Sequence, residues 1–472
     1  MHFHLRPGGV TTVIRDQYAA LRRRCECIVL TGEQPPGCLD PDLSASVRVV
    51  PGIGYTADDG EAPDARSTAA AIRRAMLEQW GAPADLLHVH NPTLRKNPSL
   101  LDTLRLTQES GIPLLSQVHD LAEDGRPSAF FPMHIDYPRD CHYGVINSRD
   151  RDALISAGLR PEAVHLMWNL VTPIHSTASV APPARRRRRT GNPLSLIYPV
   201  RGIRRKNLGE AILLAAVLQG RLTLTLPPRD ASDLARHSAW RDFASSLDLA
   251  VRFDAGLDDE LGRLMAAADA SLSTSLNEGF GFAFLEPWLA GLPVGGRRIP
   301  HVCRDFENAG VLLPWMYPAI PTPVSLLDLT SFSLRWKEAV TASYRCFGRG
   351  LGDAARQDAW EAMTGGGTID FGTLDERAQQ EVITRVVADR TARKALQSSQ
   401  VERLRDLAHP ETSIIRGNMD AILDSYGVER YSRMLEAVHQ AAHGIPVRHR
   451  VDRQSLLDYF LDPRRFRILE QR

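Results

Sequence analysis

Ser275-Leu-Asn-Glu278-Gly-Phe-Gly-Phe-Ala-Phe-Leu-Glu286-Pro-Trp-Leu-Ala-Gly-Leu-Pro-Val294 places two carboxylates eight positions apart around a Gly-x-Gly turn. The preceding run, Ala266 to Ser275, reads as a strand that delivers the turn, and the apolar residues from about Ala283 read as a helix that leaves it. Gly279 and Gly281 let the backbone approach a ligand with no Cβ in the way, and the N–H groups at the start of the following helix favour phosphate. Glu278 and Glu286 repel phosphate, so their fitting role is to accept hydrogen bonds from neutral hydroxyls on either side of it. A nucleotide sugar carries hydroxyls and phosphates in that arrangement. In the plainer alternative Glu278 is a solvated loop residue and Glu286 an ordinary first-turn glutamate. Phe280, Phe282, Phe284 and Leu285 weigh against it by making the surroundings apolar, and strand ends in open α/β sheets are where ligands bind.

The segment Glu278-Gly-Phe-Gly-Phe-Ala-Phe-Leu-Glu286 resembles the signature of the family 4 glycosyltransferases, retaining enzymes of the GT-B fold. Three companion features of that family stand in the expected order. Gly8-Gly9-Val10 follows a short amino-terminal strand, and His119 follows Ile112-Pro-Leu-Leu-Ser-Gln-Val118. Arg201 and Lys206 lie in Tyr198-Pro-Val-Arg201-Gly-Ile-Arg-Arg-Lys206-Asn207. The resemblance spans roughly residues 1 to 310 and implies an α/β, GT-B architecture of two Rossmann-like parallel-sheet domains facing a central cleft.

On that resemblance Arg201 and Lys206 hold the donor diphosphate, Gly9 brings its N–H to the same phosphates, and a side chain at Gly9 would be harmful. Glu286 takes the ribose hydroxyls, Glu278 the hydroxyls of the transferred sugar, and His119 contacts that sugar. Gly279, Phe280, Gly281 and Phe282 complete the donor site. The resemblance also implies retention of anomeric configuration by same-face substitution, in which the donor's own phosphate takes the acceptor's proton. The family works without a bound metal, and no Asp-x-Asp pair accompanies the motif, so neither metal nor other cofactor is expected. His88 and His90, which alternate on a strand, are not read as ligands.

The 472 residues exceed one core. Short β-rich runs alternate with helical periodicity from residue 1 to about 177, which predicts a parallel sheet covered by helices. Residues 178–193, proline-flanked and containing the five arginines 185–189, read as a linker. A second alternating lobe, the donor side, covers 194–430, with an elaborated insertion near 314–390, and 431–472 read as closing helices. The composition, 43% hydrophobic and 24% charged, is that of a soluble globular protein. A net charge of +1 gives no general attraction for nucleic acid or an anionic membrane. The absence of a run of about 18 apolar residues and of a signal-like amino terminus points to a cytoplasmic protein without stable membrane insertion. Six scattered cysteines suggest neither a disulfide framework nor a zinc site.

The acceptor is expected against the first lobe, at the loop holding Arg95, Lys96 and Asn97 and at Arg126. The three cations suit an anionic acceptor; pairing with Glu123 and Asp124 at the surface is the alternative. A small polar metabolite, a glycan and a lipid-linked sugar remain open as acceptors, as does an oligomeric state. The leading expectation is transfer of a hexose from a nucleoside diphosphate sugar to a hydroxyl. A nucleotide-sugar epimerase of the same architecture and a non-catalytic nucleotide-sugar binder are the alternatives.

Overall fold

A computed structural model describes residues 1–471 except 38, 57–59 and 174–192. The expected linker, 178–193, therefore lies outside the described residues apart from Pro193. The chain forms two compact units, one of residues 1–170 and 426–461, the other of 171–425 and 462–471. Residues 431–472, read from the sequence as one closing segment, are thus shared between the units.

In the first unit β1 (Val29–Thr31) pairs in parallel with β2 (Val47–Val49). β3 (Leu87–His90), β4 (Leu114–Val118), β5 (His142–Val145) and β6 (Val164–Leu166) form a four-stranded parallel sheet. Residues 1–3 join the two sets: His2 N donates to Leu30 O at 3.0 Å, and His90 N donates to Met1 O at 3.0 Å. The winding reverses between this amino-terminal segment and β3, since β1 and β2 lie to one side and β3 to β6 to the other. The helix Gly9–Leu21 buries Val13 and Ile14. Helix Ala65–Trp80 is capped by Asp64, whose carboxylate accepts from Ser67 N at 2.7 Å, and ends at Gly81 with φ 67°.

A column of histidines runs through this unit. The rings of His88 and His90 stack at 4.6 Å, those of His90 and His119 at 5.3 Å, and His439 meets His88 edge-on at 5.2 Å. Burial holds the imidazoles neutral: His119 and His439 fall to about 4 and His2 to about 3, and His88 and His90 drop well below the ordinary value.

The second unit holds a six-stranded sheet made of β7 (Ser195–Arg201), β8 (Arg221–Leu226), β9 (Val251–Arg252), β10 (Ala270–Ser273), β11 (Val294–Arg297) and β12 (Met316–Tyr317). Its order, β12-β11-β10-β7-β8-β9, is parallel throughout. The winding reverses between β7 and β10. Helix Leu208–Leu218 is apolar nearly all round and correspondingly buried. Gly296 (φ 137°) is required where β11 meets β10, since a Cβ there would lie 2.0 Å from Ser273 O.

The expected insertion is narrower than 314–390, because β12 completes the sheet and helix Glu376–Ala388 packs on Leu208–Leu218. What is added is the antiparallel pair β13 (Pro321–Pro323) and β14 (Thr368–Asp370) with helices Leu329–Cys346 and Asp353–Thr364. It is tied to the sheet by an ion network that is buried apart from the part-exposed Asp370. Arg297 Nη2 donates to Glu210 Oε2 at 2.6 Å and to Asp370 Oδ1 at 2.8 Å, and Tyr317 Oη donates to Glu210 Oε1 at 2.7 Å. Among the described residues, no helix is long and apolar enough to cross a membrane.

The histidine column makes the first unit sensitive to acid. Each of these pKa values is lower in the folded chain than the unfolded value of about 6.5, so as pH falls the unfolded chain takes up the protons first. Stability is full above about pH 6.5 and declines toward pH 4. Amide hydrogen exchange of β3 and β4, corrected for the intrinsic rate, is expected to lose protection over that window; constant protection from pH 7 to 4 would refute the assignment of neutral, buried histidines.

Candidate functional site

Two loops leave the carboxyl ends of β7 and β10, the strands that flank the switch point of the second sheet. This is where an open parallel sheet forms a ligand crevice, because adjacent loops turn to opposite faces. The first loop carries Arg201 at the end of β7 and then a single 3-10 turn, Arg204–Lys206. The second runs from Thr274 to Gly281. Backbone contacts lock them together: Leu276 N donates to Arg205 O at 3.0 Å, and Thr274 Oγ1 donates to Lys206 O at 3.1 Å. Tyr198 Oη donates to Lys206 O at 3.0 Å and lies 2.7 Å from Ser275 Oγ. Asn207 closes the cation turn in the left-handed region (φ 53°), where asparagine is tolerated, and its Nδ2 donates to Glu210.

The two glutamates of the motif sit in opposite electrostatic settings. Glu278 is buried, and the Lys206 ammonium is hydrogen-bonded to its Oε1, with Arg205 Nη1 3.4 Å from Oε2. Burial alone would raise its pKa, but the charges of Lys206 and Arg205 prevail and hold it at about 2. Glu286 is part-buried and has no hydrogen-bond or ion-pair partner among the described residues. Burial without a partner pushes its carboxyl up to about 7.

Between them the chain does not form the apolar helix expected from Ala283. Phe282–Phe284 is one 3-10 turn, and the α-helix that follows, Glu286–Leu289, has four residues. So short a helix offers little dipole, which removes the argument for phosphate binding at its amino terminus. Likewise the strand before the motif is β10 alone, because residues 261–267 are helical. Gly281 is required for two reasons, its φ of 92° and the 2.9 Å that a Cβ would leave to Val302 Cγ1. Phe280 packs edge-on against Phe282 at 5.1 Å and Phe306 at 5.7 Å, so it supports the turn from within, while Phe282 is part-exposed.

Arg201 is joined to neither glutamate among the described residues. Its Nη1 donates to Pro227 O at 2.8 Å, and burial together with Arg229 lowers its pKa. Arg204 is taken by Glu376, with Nε to Oε1 at 2.6 Å and Nη2 to Oε2 at 2.9 Å. The cation that sequence reasoning passed over is Arg205, which also donates to Asn277 O at 2.8 Å; one residue before Lys206, it looked like part of a generally basic turn.

In the first unit His119 is buried at the end of β4, with Nε2 2.9 Å from His90 Nδ1, so Nδ1 is the ring nitrogen left for a ligand. Asn97 is corrected from the acceptor set: fully buried, it donates through Nδ2 to Gly52 O at 2.8 Å and Gly54 O at 2.9 Å, so it holds loops. Arg95 is exposed, whereas Lys96 and Arg126 line a common cavity. A Cβ at Gly9 would meet no atom of the protein within 4 Å, so the expected harm of a side chain there can act only through a bound ligand. Among the described residues, no cluster of three or more His, Cys, Asp or Glu side chains is placed to hold a metal ion.

No protein family model matches the chain. Among curated proteins the chain is similar to the mannosylglucosyl-3-phosphoglycerate synthase of Petrotoga mobilis (strain DSM 10674 / SJ95). The two are 24% identical over 337 residues, covering 65% of this chain and 66% of that protein. The chain thus spans just under two thirds of that relative's length. Among solved structures, a glycosyltransferase from Rickettsia africae ESF-5 matches with a TM-score of 0.53 at 10% identity, over 93% of this chain and 97% of that chain. Anabaena Alr3699/HepE, solved in complex with UDP and glucose, matches with a TM-score of 0.44 at 18% identity, over 64% and 81% of the two chains. With its two parallel-sheet units, the chain has the GT-B fold.

The contrast between the glutamates is open to measurement through stability. Glu278→Gln leaves Lys206 and Arg205 without their buried counter-charge and is expected to cost about 3 kcal/mol. Glu286→Gln has the opposite sign. A carboxyl raised from about 4.5 to about 7 loses its favourable contribution as pH rises through that window, so removing it is expected to stabilise the second unit above pH 7 by up to about 3 kcal/mol, with no gain below pH 4.5. Denaturant titrations at pH 4.5 and 8 check both; equal effects of the two substitutions would refute the assignment.

Proposed function

We propose that the protein is a glycosyltransferase of the family 4 kind that moves a hexose from a nucleoside diphosphate sugar to a hydroxyl with retention of configuration. The observation that carries this reading is the pairing of loops at the β7/β10 switch point, which sets Arg205 and Lys206 against Glu278 eight residues from the unpartnered Glu286. A site for a diphosphate alone has no use for two carboxylates, and a site for a neutral sugar alone has no use for the cations. A nucleotide sugar uses both. The similarity to a synthase named for a glycosylated phosphoglycerate supports the same class of chemistry.

In this reading Arg201 and Lys206 hold the diphosphate and stabilise the negative charge that grows as the sugar leaves. The incoming phosphate competes with Glu278 for Lys206, and Glu278 turns to the hydroxyls of the transferred sugar. Glu286 accepts from the ribose hydroxyls, which supply the donors it lacks in the free chain. In the first unit Gly9 offers its N–H to donor phosphate and His119, neutral at ordinary pH, contacts the sugar. The donor phosphate removes the acceptor's proton on the face it leaves, so the protein orients and stabilises charge without a dedicated base. Its own cations do the work of a metal ion.

Ligands of the native state raise apparent stability by mass action, so nucleoside diphosphates and their hexose conjugates are expected to raise the melting temperature while nucleosides alone are not. Glu286→Gln should reduce transfer or donor hydrolysis by about tenfold or more, the order of a charge-assisted hydrogen bond, although it stabilises the fold. Activity should survive exhaustive chelation. Full turnover by Glu286→Gln would remove the reading; loss with EDTA and recovery with magnesium or manganese would remove its metal-free form.

A further inference from the structure

The first unit contains a cavity of about 310 Å³ at the point where its sheet reverses winding, lined from residues 2–11, Tyr55, Asn91, Lys96 and the segment 120–129. Three cations line it, Arg6, Lys96 and Arg126, against one carboxylate, Asp120. Arg126 is paired with Asp120, and Arg6 is held by Glu33 through two hydrogen bonds of 2.7 and 2.5 Å. The Lys96 ammonium forms no ion pair or hydrogen bond among the described residues; its one interaction is with the Tyr55 ring, 5.9 Å to the centroid. The cavity therefore keeps an uncompensated positive charge.

A second, independent feature points to a ligand. Asn91 is 4% exposed and sits at the end of β3 in the left-handed region, φ 51°. Its Oδ1 accepts from His119 N at 2.6 Å and Asp120 N at 3.2 Å, which fixes the amide so that Nδ2 is the remaining donor. Nδ2 has no acceptor among the described residues, and Asn91 faces the cavity. A donor fixed by its own neighbours and facing a cavity is pre-organised for an acceptor that fills it. Gly8 and Gly9 add to this. Neither has a left-handed φ, and added Cβ atoms would meet nothing within 4 Å at Gly9 and only Arg6 O, at 3.9 Å, at Gly8. The protein's own packing does not need glycine at either position, so the room they leave is for bound ligands, the donor phosphate proposed at Gly9 and the occupant of the adjoining cavity.

We infer that this cavity receives the hydroxyl acceptor, and that the acceptor is a small, hydroxyl-bearing anion whose phosphate or carboxylate is held by Lys96 and Asn91. The inference rests on the transferase reading above. A volume of this order suits a molecule of a few to about a dozen non-hydrogen atoms, and the unpaired lysine favours an anion over a neutral molecule of the same size.

Calorimetry on the full chain at fixed ionic strength, with glycerol 3-phosphate, glycerate, inorganic phosphate and glycerol as probes, tests it. At least one of glycerol 3-phosphate and glycerate is expected to bind about tenfold or more tightly than glycerol and than bare phosphate, and the tighter of the two identifies the anionic group. Lys96→Gln, a change at an exposed side chain that leaves the fold alone, should raise that Kd about tenfold while the Kd for uridine diphosphate changes less than about twofold. Equal binding of glycerol and the anions, an unchanged Kd in Lys96→Gln, or competition between uridine diphosphate and the anion would overturn the inference and leave the donor reading standing. Lys96-dependent anion binding by a chain that takes no nucleotide or nucleotide sugar would overturn the donor reading, and the acceptor role with it.

Discussion

The ion pair between Lys206 and Glu278 is the interaction on which the rest of the site depends. It joins the loop after β7 to the loop after β10, two strands adjacent in space and far apart in sequence, and so converts the sheet's change of winding into a fixed arrangement of charge. The pair is supported from beneath. Asn207 at the end of the cation turn is held by Gln379 and bonds Glu210, which engages Arg297, which in turn reaches Asp370. A chain of buried polar contacts of this kind is costly if broken at one member and rigid when complete. The added β13–β14 segment is thereby built into the foundation of the site.

The two glutamates show how position, not residue type, sets a carboxylate's task. Glu278 has its cations in place before any ligand arrives and stays ionised at every physiological pH. Glu286 is desolvated without reward, and the fold tolerates a carboxyl poised near neutrality. Unmet groups of this sort accumulate where a ligand completes them, at a cost to stability. Asn91 in the first unit is in the same condition on a smaller scale, a donor fixed in place and left without an acceptor.

Much of this was legible in the sequence, for identifiable reasons. Gly281 demands a positive φ, and the apolar residues around the glutamates announce a desolvated turn. The alternation of β-rich and helical runs announced two parallel sheets, and the GT-B resemblance agrees with the observed architecture. Tertiary contacts decided the remainder. The helix expected from Ala283 is broken into short turns because Glu286-Pro287 starts a new helix and Phe284 is drawn fully into the core. Asn97 looked like a surface residue beside two cations, yet loops more than forty residues earlier claim its amide. The return of residues 426–461 to the first unit depends on packing such as Leu435 and Tyr431 against Leu115 and Met167, which no local pattern encodes. Tyr55 and Arg6 carried no motif at all, and only folding sets them around one cavity.

On the proposed function, the Glu278–Glu286 motif and the Lys206 turn grip a nucleoside diphosphate sugar. A crystal structure of the protein soaked with uridine diphosphate, or whichever nucleoside diphosphate binds, tests it most directly. Ribose hydroxyls are expected within hydrogen-bond distance of the Glu286 carboxylate, about 2.6–3.0 Å, and phosphate oxygens on Arg201 and Lys206, with Lys206 drawn from Glu278. A nucleotide bound with Glu286 unoccupied and the Lys206–Glu278 pair intact would contradict it.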